Sequence, residues 1–147
     1  MQPPTPPGPL KVDIADPGAS VAYIDAMADL VDRHTGVVED CGALLKAYQA
    51  GRVPRENLVK ALGKLREDVR ALSIAANEIR HPDHLSYAHD EFMMAFRDAG
   101  EAFGFLEAYF VREFQGHWVR ANDRFMSAQA RIDSAVARLT GPSGASA

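Results

Sequence analysis

The chain has 147 residues and a formal net charge of −4, with 47% hydrophobic and 24% charged residues. This length suits one domain with one core and is too short to suggest two. The negative charge argues against a nucleic-acid-binding protein, because such domains usually carry a concentrated basic face. No stretch reaches the roughly 20 apolar residues needed to cross a bilayer, so we expect no membrane insertion.

The single cysteine, Cys41, excludes an internal disulfide and a structural zinc site built on several thiolates. The N-terminus has neither the charged segment nor the apolar segment of an export signal, so we expect a cytoplasmic protein. The opening MQPPTPPGP resembles the Pro-rich spacer that can follow a removed export signal. An exported or envelope-associated protein is therefore the alternative.

Proline dominates the start of the chain, where it accounts for five of the first nine residues. Because proline interrupts both helices and sheet ladders, we predict an extended or disordered tail over residues 1–19. The closing GPSGASA predicts a second flexible tail over residues 141–147. The folded domain is expected to span residues 20–140.

Apolar residues spaced alternately three and four apart predict a first helix from about Ser20 to Ala50. Gly51 is its expected stop, and Pro54 suits the first turn of a second helix. The second helix ends near His81, because Pro82 disfavours helical geometry there. The residues of the first helix expected to face the core are Ile24, Met27, Val31, His34, Val38, Cys41, Leu45 and Tyr48.

The third predicted helix, from about Asp83 to Phe114, is the most aromatic, and Gly116 is expected to separate it from the fourth. Connections of only a few residues make successive helices antiparallel neighbours. The expected fold is therefore all-α, an antiparallel up-down-up-down four-helix bundle with an extended or disordered Pro-rich tail.

The segment from Pro82 to Leu139 has a recognisable order of features. A proline opens the helix, a histidine follows about two turns later (Pro82, Leu85, His89), and a short glycine-containing turn leads to an alanine-rich last helix. This order resembles that of uncharacterised bacterial helix-bundle proteins over less than half of the chain. The resemblance implies a bundle, but it implies no activity and assigns no functional residue.

Two histidines, His34 and His89, fall on predicted core faces. At about 1.5 Å per residue, counting from the short turns places them one to two turns apart along the bundle axis. One hypothesis is that their imidazoles bind a metal, a haem or a small polar ligand between the helices. We favour the alternative, in which each is a buried histidine hydrogen-bonded within the core, and we expect no cofactor.

Oxygen and imidazole donors crowd into the junction before the third helix. A di-iron bundle needs Glu-x-x-His on two helices, and this chain has one match, so that class of site is not expected. Donors at helix ends more often cap the helices, and we predict no physiological metal site. The residues that could nevertheless bind a metal are Glu78, His81, Asp83 and His84.

Catalytic patterns are also missing from the sequence. No Ser-His-Asp or Cys-His arrangement, phosphate-binding glycine loop or pair of carboxylates on an apolar face is recognisable. We therefore predict no catalytic residues and do not expect an enzyme.

The third helix carries two unusual stripes. Two glycines and an alanine share one flank, and each glycine costs about 1 kcal/mol relative to alanine in a helix. Small residues allow another helix to approach closely, and exposed large side chains often mark a partner site. Intramolecular cover by the N-terminal tail or the first helix is the alternative. The flank consists of Gly100, Gly104 and Ala108, and the outward stripe of Tyr87, Met94, Phe105 and Tyr109.

These observations predict a non-enzymatic helical interaction module that binds a partner helix, or a second copy in a homodimer, through its third helix. One alternative is a ligand- or metal-binding bundle that uses His34 and His89. Another is a sensor or carrier domain tethered at the cell envelope by the Pro-rich tail.

Overall fold

The structure, a computed structural model, describes residues 17–140 as four α-helices. They are α1 (Pro17–Gln49), α2 (Arg55–Glu78), α3 (Ser86–Arg112) and α4 (Gln115–Thr140), and a single 3-10 turn (Asp83–Leu85) precedes α3. No strand occurs within residues 17–140, so the predicted all-α class is confirmed. The predicted tails lie mostly outside the described residues, at 1–16 and 141–147.

The first helix begins earlier than the sequence predicts. α1 starts at Pro17, inside the segment 1–19 that we expected to be a tail. Proline is accommodated in a first turn because the N–H that it lacks has no intrahelical partner there. The boundary prediction was therefore too late by three residues.

Two residues with positive φ end helices. Gly51, at φ 77°, follows α1 as predicted, and its N–H donates to the Tyr48 carbonyl while the Arg52 N–H donates to that of Ala47. This pair of bonds is a Schellman motif, which satisfies the last carbonyls of a helix. At the end of α3 the left-handed residue is Glu113, at φ 55°. The predicted break at Gly116 was wrong, because Gly116 lies in the first turn of α4.

The core consists of two clusters stacked along the helices, and each draws residues from all four. In the first cluster, the N-terminal halves of α1 and α3 pack against the C-terminal half of α4. Its fully buried members are Tyr23, Met27, Leu30, Leu72, Ala76, Ala88, Phe92, Ala95, Phe96, Ile132 and Ala135. Those of the second are Val37, Cys41, Leu58, Leu62, Val69, Ala99, Phe103, Leu106, Phe110, Ala121 and Ala128.

The buried face of α1 is rotated by about one residue from the predicted face. Ile24 and Val31 are only half-buried, and Val38 is exposed. A second series with the same alternating spacing supplies the core, and it shares Met27, His34 and Cys41 with the predicted series. The residues of that series are Tyr23, Met27, Leu30, His34, Val37 and Cys41.

None of the helices within residues 17–140 combines the length and the apolar character needed to cross a bilayer.

Candidate functional site

An open groove runs between α2 and α3, with a volume of about 560 Å³. Gly100 and Gly104, one turn apart on α3, line it on one side. Phe96, one turn before Gly100, adds an apolar ring to the lining. The predicted flank of small residues is therefore the wall of a groove. Ala108 continues this flank and is half-buried.

The fold itself does not need glycine at these two positions. A Cβ added at Gly100 would meet no atom within 4 Å, and one at Gly104 would meet only the Arg66 Nη1 atom, at 3.9 Å. No helix within residues 17–140 lies close against the flank. We had expected a close helix approach to compensate for the glycines, and residues 17–140 do not provide one at Gly100 or Gly104.

Arginine side chains line both walls of the groove. Arg66 and Arg70 come from successive turns of α2, and Arg97 comes from α3. Arg66 Nε lies 3.0 Å from Glu107 Oε1, a charge contact without hydrogen-bond geometry. Arg70 and Arg97 form no ion pair with any residue of 17–140, so their guanidinium groups are available to a ligand.

The groove also contains two carboxylates. Glu101 is paired with Arg124 of α4, at 2.8 Å between Oε1 and Nε. Glu67 lines the groove and has no ion pair among the described residues. With two arginines and one glutamate left unpaired, the groove has one excess positive charge, opposite in sign to the net charge of the whole chain.

The outward stripe of α3 contacts α4. The alternative expected from the sequence was cover by the N-terminal tail or by the first helix, and residues 1–16 lie outside the described residues. Phe105 is stacked on His117 at 6.1 Å between ring centroids, with the guanidinium carbons of Arg120 and Arg124 about as far from its ring. Tyr109 packs on Trp118 at 5.4 Å. Both side chains are half-buried, so they belong to the contact between α3 and α4.

The remaining two stripe residues are exposed but also touch α4. Tyr87 is 60% exposed and its ring lies 3.9 Å beneath the guanidinium carbon of Arg138. Met94 is 42% exposed, and its sulfur accepts a contact from Arg131 Nη1 at 3.5 Å. Side chains of α4 therefore contact all four residues of the stripe, but Tyr87 and Met94 stay exposed.

The second candidate site surrounds His89 at the other end of α3. Its Nδ1 is hydrogen-bonded to the Tyr23 hydroxyl at 2.9 Å. The ring of His81 is stacked on it at 4.3 Å between centroids, and His81 Nε2 lies 3.2 Å from the Ser86 hydroxyl. The cluster joins α1, the connection after α2, and the first turn of α3.

Burial determines the protonation of this cluster. It lowers the pKa of His89, and the neighbouring His81 lowers it further while Asp90 opposes the shift. Burial also raises the pKa of Tyr23. His89 is therefore a neutral hydrogen-bonding group at pH 7, and Tyr23 keeps its proton. The hydrogen bond stabilises the core, and nothing activates either group as a nucleophile.

The structure does not bring His34 and His89 together. His34 is 2% exposed and its ring packs at 5.8 Å on Phe96, whereas His89 packs on Tyr23 and His81. Phe96 lies seven residues beyond His89 on α3, which is about 10 Å along the helix. Burial lowers the pKa of His34, and its Nε2 has no hydrogen-bond partner among the described residues.

The four metal candidates at the helix junction do not converge. Glu78 ends α2, and His81 is engaged with His89 and Ser86. His84 Nε2 lies 3.5 Å from the Ser20 hydroxyl. Asp83 occupies the first position of the 3-10 turn. Within residues 17–140 no three histidine, cysteine, aspartate or glutamate side chains are arranged to hold a metal ion.

Cys41 lies in the second cluster and is almost fully buried. Burial raises the pKa of its thiol to about 11, so the thiol stays protonated at neutral pH. A protonated, buried thiol is a poor nucleophile, and the side chain acts as a small apolar group.

Sequence reasoning missed two parts of these sites. Tyr23 belongs to a series spaced three and four apart that overlaps the predicted one, and this signal was available. The basic groove was not recognisable, because only the packing of α3 against α2 brings Arg97 beside Arg66 and Arg70.

Comparisons with known proteins return no family model, curated protein or solved structure that matches this chain.

Proposed function

We propose that the protein is a non-enzymatic helical interaction module, which receives a helix in the groove between α2 and α3. The observation that carries the proposal is at Gly100, where an added Cβ would meet no atom within 4 Å. Glycine costs about 1 kcal/mol relative to alanine inside a helix, and the described fold has no need of it there. A partner helix would need it, because a side chain at this position would hold the partner's backbone away.

The helix that binds in the groove belongs either to a second copy of the chain, which gives a homodimer, or to another protein. The proposal treats the chain as an antiparallel up-down-up-down four-helix bundle. Support for that order comes from the short connections at residues 50–54 and 113–114 and from the contacts between successive helices. In such a bundle a helix laid in the groove would pack against two neighbouring helices at once.

The alternatives have less support. A ligand-binding bundle based on His34 and His89 would need the two side chains to share a site, and they contact different neighbours. An envelope-tethered sensor or carrier depends on residues 1–16, which lie outside the described residues.

Site-specific photo-crosslinking in living cells tests the proposal. A photoreactive amino acid placed at Ser73, which lines the groove, is expected to give a discrete covalent adduct. The mass of the adduct distinguishes a second copy from another protein. Gly100→Leu should abolish the adduct, because the leucine side chain fills the flank without meeting any atom of its own chain at Cβ.

The matched control is the same photoreactive amino acid at Ala130, which is exposed on α4. Identical adducts from positions 73 and 130, or an adduct from position 73 that survives Gly100→Leu, would show that the groove does not receive a helix.

A further inference from the structure

We infer that the helix bound in this groove belongs to another protein and is acidic on the side that faces α2 and α3. The inference rests on the proposed function and adds the chemistry of the partner.

The charges of the groove favour an anionic partner. Arg70 on α2 and Arg97 on α3 face the groove from opposite walls and have no ion pair within residues 17–140. Two of the other charged side chains are already neutralised, Arg66 by Glu107 and Glu101 by Arg124. A carboxylate between the walls would meet two guanidinium groups and only one free carboxylate, that of Glu67. Such complementarity directs both orientation and partner choice.

The dimensions of the groove favour a helix over a small anion. From Phe96 to Gly104 the wall of α3 extends two turns, about 12 Å, and Arg66 and Arg70 are one turn, about 6 Å, apart on α2. Carboxylates four residues apart on a partner helix have the same 6 Å spacing. A small anion could contact the arginines, but it would leave the flank at Gly100 and Gly104 uncovered.

The charge of the chain disfavours a second copy as the occupant. Each copy carries a net charge of −4, so two copies repel at long range. A second copy could offer the exposed carboxylates of α1 to the groove, but the two copies would have to overcome this repulsion. These carboxylates are Asp25, Asp29, Asp32, Glu39 and Asp40, all exposed.

The test uses ¹⁵N-labelled full-length protein and two synthetic probes. One is an alanine-based helical peptide with glutamate at alternating third and fourth positions, and the other is identical except that glutamine replaces glutamate. The backbone amide resonances of Gly100 and Gly104 report binding in the groove. Those of Gly36 and Gly42 on α1, which no groove ligand would touch, are internal controls.

The glutamate peptide is expected to shift the two groove glycines and to leave the α1 glycines unchanged. Arg70→Glu/Arg97→Glu should weaken its binding by about tenfold or more, because two attractions become repulsions. The control variant Arg52→Glu/Arg112→Glu changes the net charge equally at two exposed residues outside the groove, and should weaken binding by less than about threefold through screened long-range effects.

The other outcomes separate the inference from the proposed function. Equal binding of the glutamine peptide would overturn the acidic partner and leave a helix-binding groove. Shifts of Gly100 and Gly104 that appear on raising the protein concentration without peptide would identify a second copy as the occupant and overturn the inference. If neither peptide nor protein concentration moves these two resonances, both the inference and the helix-binding function fail.

Discussion

His34 is the residue least well accommodated by its surroundings. It is 2% exposed, packs on Phe96, and leaves its Nε2 without a hydrogen-bond partner within residues 17–140. A buried polar atom without a partner costs free energy, and here the same burial lowers the pKa of the imidazole. The buried His34 therefore lowers the free energy of unfolding at neutral pH. Its imidazole also binds a proton more readily in the unfolded chain than in the folded chain.

The lowered pKa determines how stability changes with pH. Between the folded pKa and the ordinary value near 6.5, the unfolded chain binds a proton that the folded chain does not. Stability is therefore fully present above about pH 6.5 and is lost as the pH falls below it. His89, whose pKa is also lowered, acts in the same direction. Each such histidine contributes a slope of at most about 1.4 kcal/mol per pH unit.

His34→Leu should raise the free energy of unfolding by about 1–3 kcal/mol at pH 7.5, because it removes the unpaired atom and keeps the volume filled. The gain should be larger at pH 5, where the proton-linked loss also disappears. Urea unfolding at the two pH values measures both effects. Thr35→Leu, at the adjacent exposed position, is the control and should retain the pH dependence of the unmodified protein.

A loss of stability in His34→Leu at pH 7.5 would contradict this account. It would mean that Nε2 has a partner that the leucine cannot replace, and it would revive the hypothesis of a ligand bound to this histidine.

At the scale of the helix, glycine has two different roles in this chain. Gly51 has φ 77°, a conformation that residues with a side chain adopt at a cost, and it ends α1. Gly100 lies in the middle of α3 with helical geometry, where alanine is the better helix former. The same substitution should therefore have opposite effects at the two positions.

Gly100→Ala should raise the free energy of unfolding by up to about 1 kcal/mol, because it lowers the entropy of the unfolded chain and its Cβ meets nothing. Gly51→Ala should lower the free energy of unfolding by about 1 kcal/mol, because alanine is strained at positive φ. Chemical denaturation of both variants measures whether their changes in the free energy of unfolding have opposite signs. A destabilising Gly100→Ala would place an unseen neighbour against α3 within the chain and would undermine the groove as a partner site.

At the scale of the whole molecule, α3 and α4 form the most extensive helix contact. Two kinds of side chain explain it. Buried alanines on α4, including Ala121, Ala128 and Ala135, let the backbones approach. Around them, Arg131 bridges to Asp98 and Glu91 at 3.0 and 3.4 Å, and the Ser127 hydroxyl donates to Asp98 at 2.7 Å. This contact half-buries Phe105 and Tyr109 of the outward stripe, whereas the contact between α2 and α3 leaves a groove.

Ala128→Leu tests whether the close packing of α3 against α4 contributes to the free energy of unfolding. Ala128 is fully buried, so the larger side chain must push the helices apart, at a cost of about 1–3 kcal/mol of unfolding free energy. Ala130→Leu, two residues further along and exposed, should change it by less than about 0.5 kcal/mol. Thermal unfolding of the pair checks this, and equal effects at both positions would rule out close packing as the reason for the alanines.

Local chemistry in the sequence determined the all-α class, the four helices and most of the core. Alternating spacings of three and four predict the inward face of α3, from His89 through Phe96 and Phe103 to Phe110, and these residues are buried. The stop at Gly51 was predictable because only the local backbone conformation decides it. The same spacing was ambiguous in α1, where two series one residue apart both fit.

Only the tertiary structure decided which surfaces of α3 are free. Whether Phe105 and Tyr109 face solvent depends on side chains of α4, and whether Arg97 joins Arg66 and Arg70 depends on how α2 lies against α3. Helical periodicity assigns each residue an angle around its own helix but contains no information about the neighbour at that angle. Counting residues along the chain predicted the axial offset of His34 and His89 of one to two turns, and about 10 Å agrees with it. Only the packing of His34 on Phe96 and of His89 on His81 shows that the two side chains do not share a site.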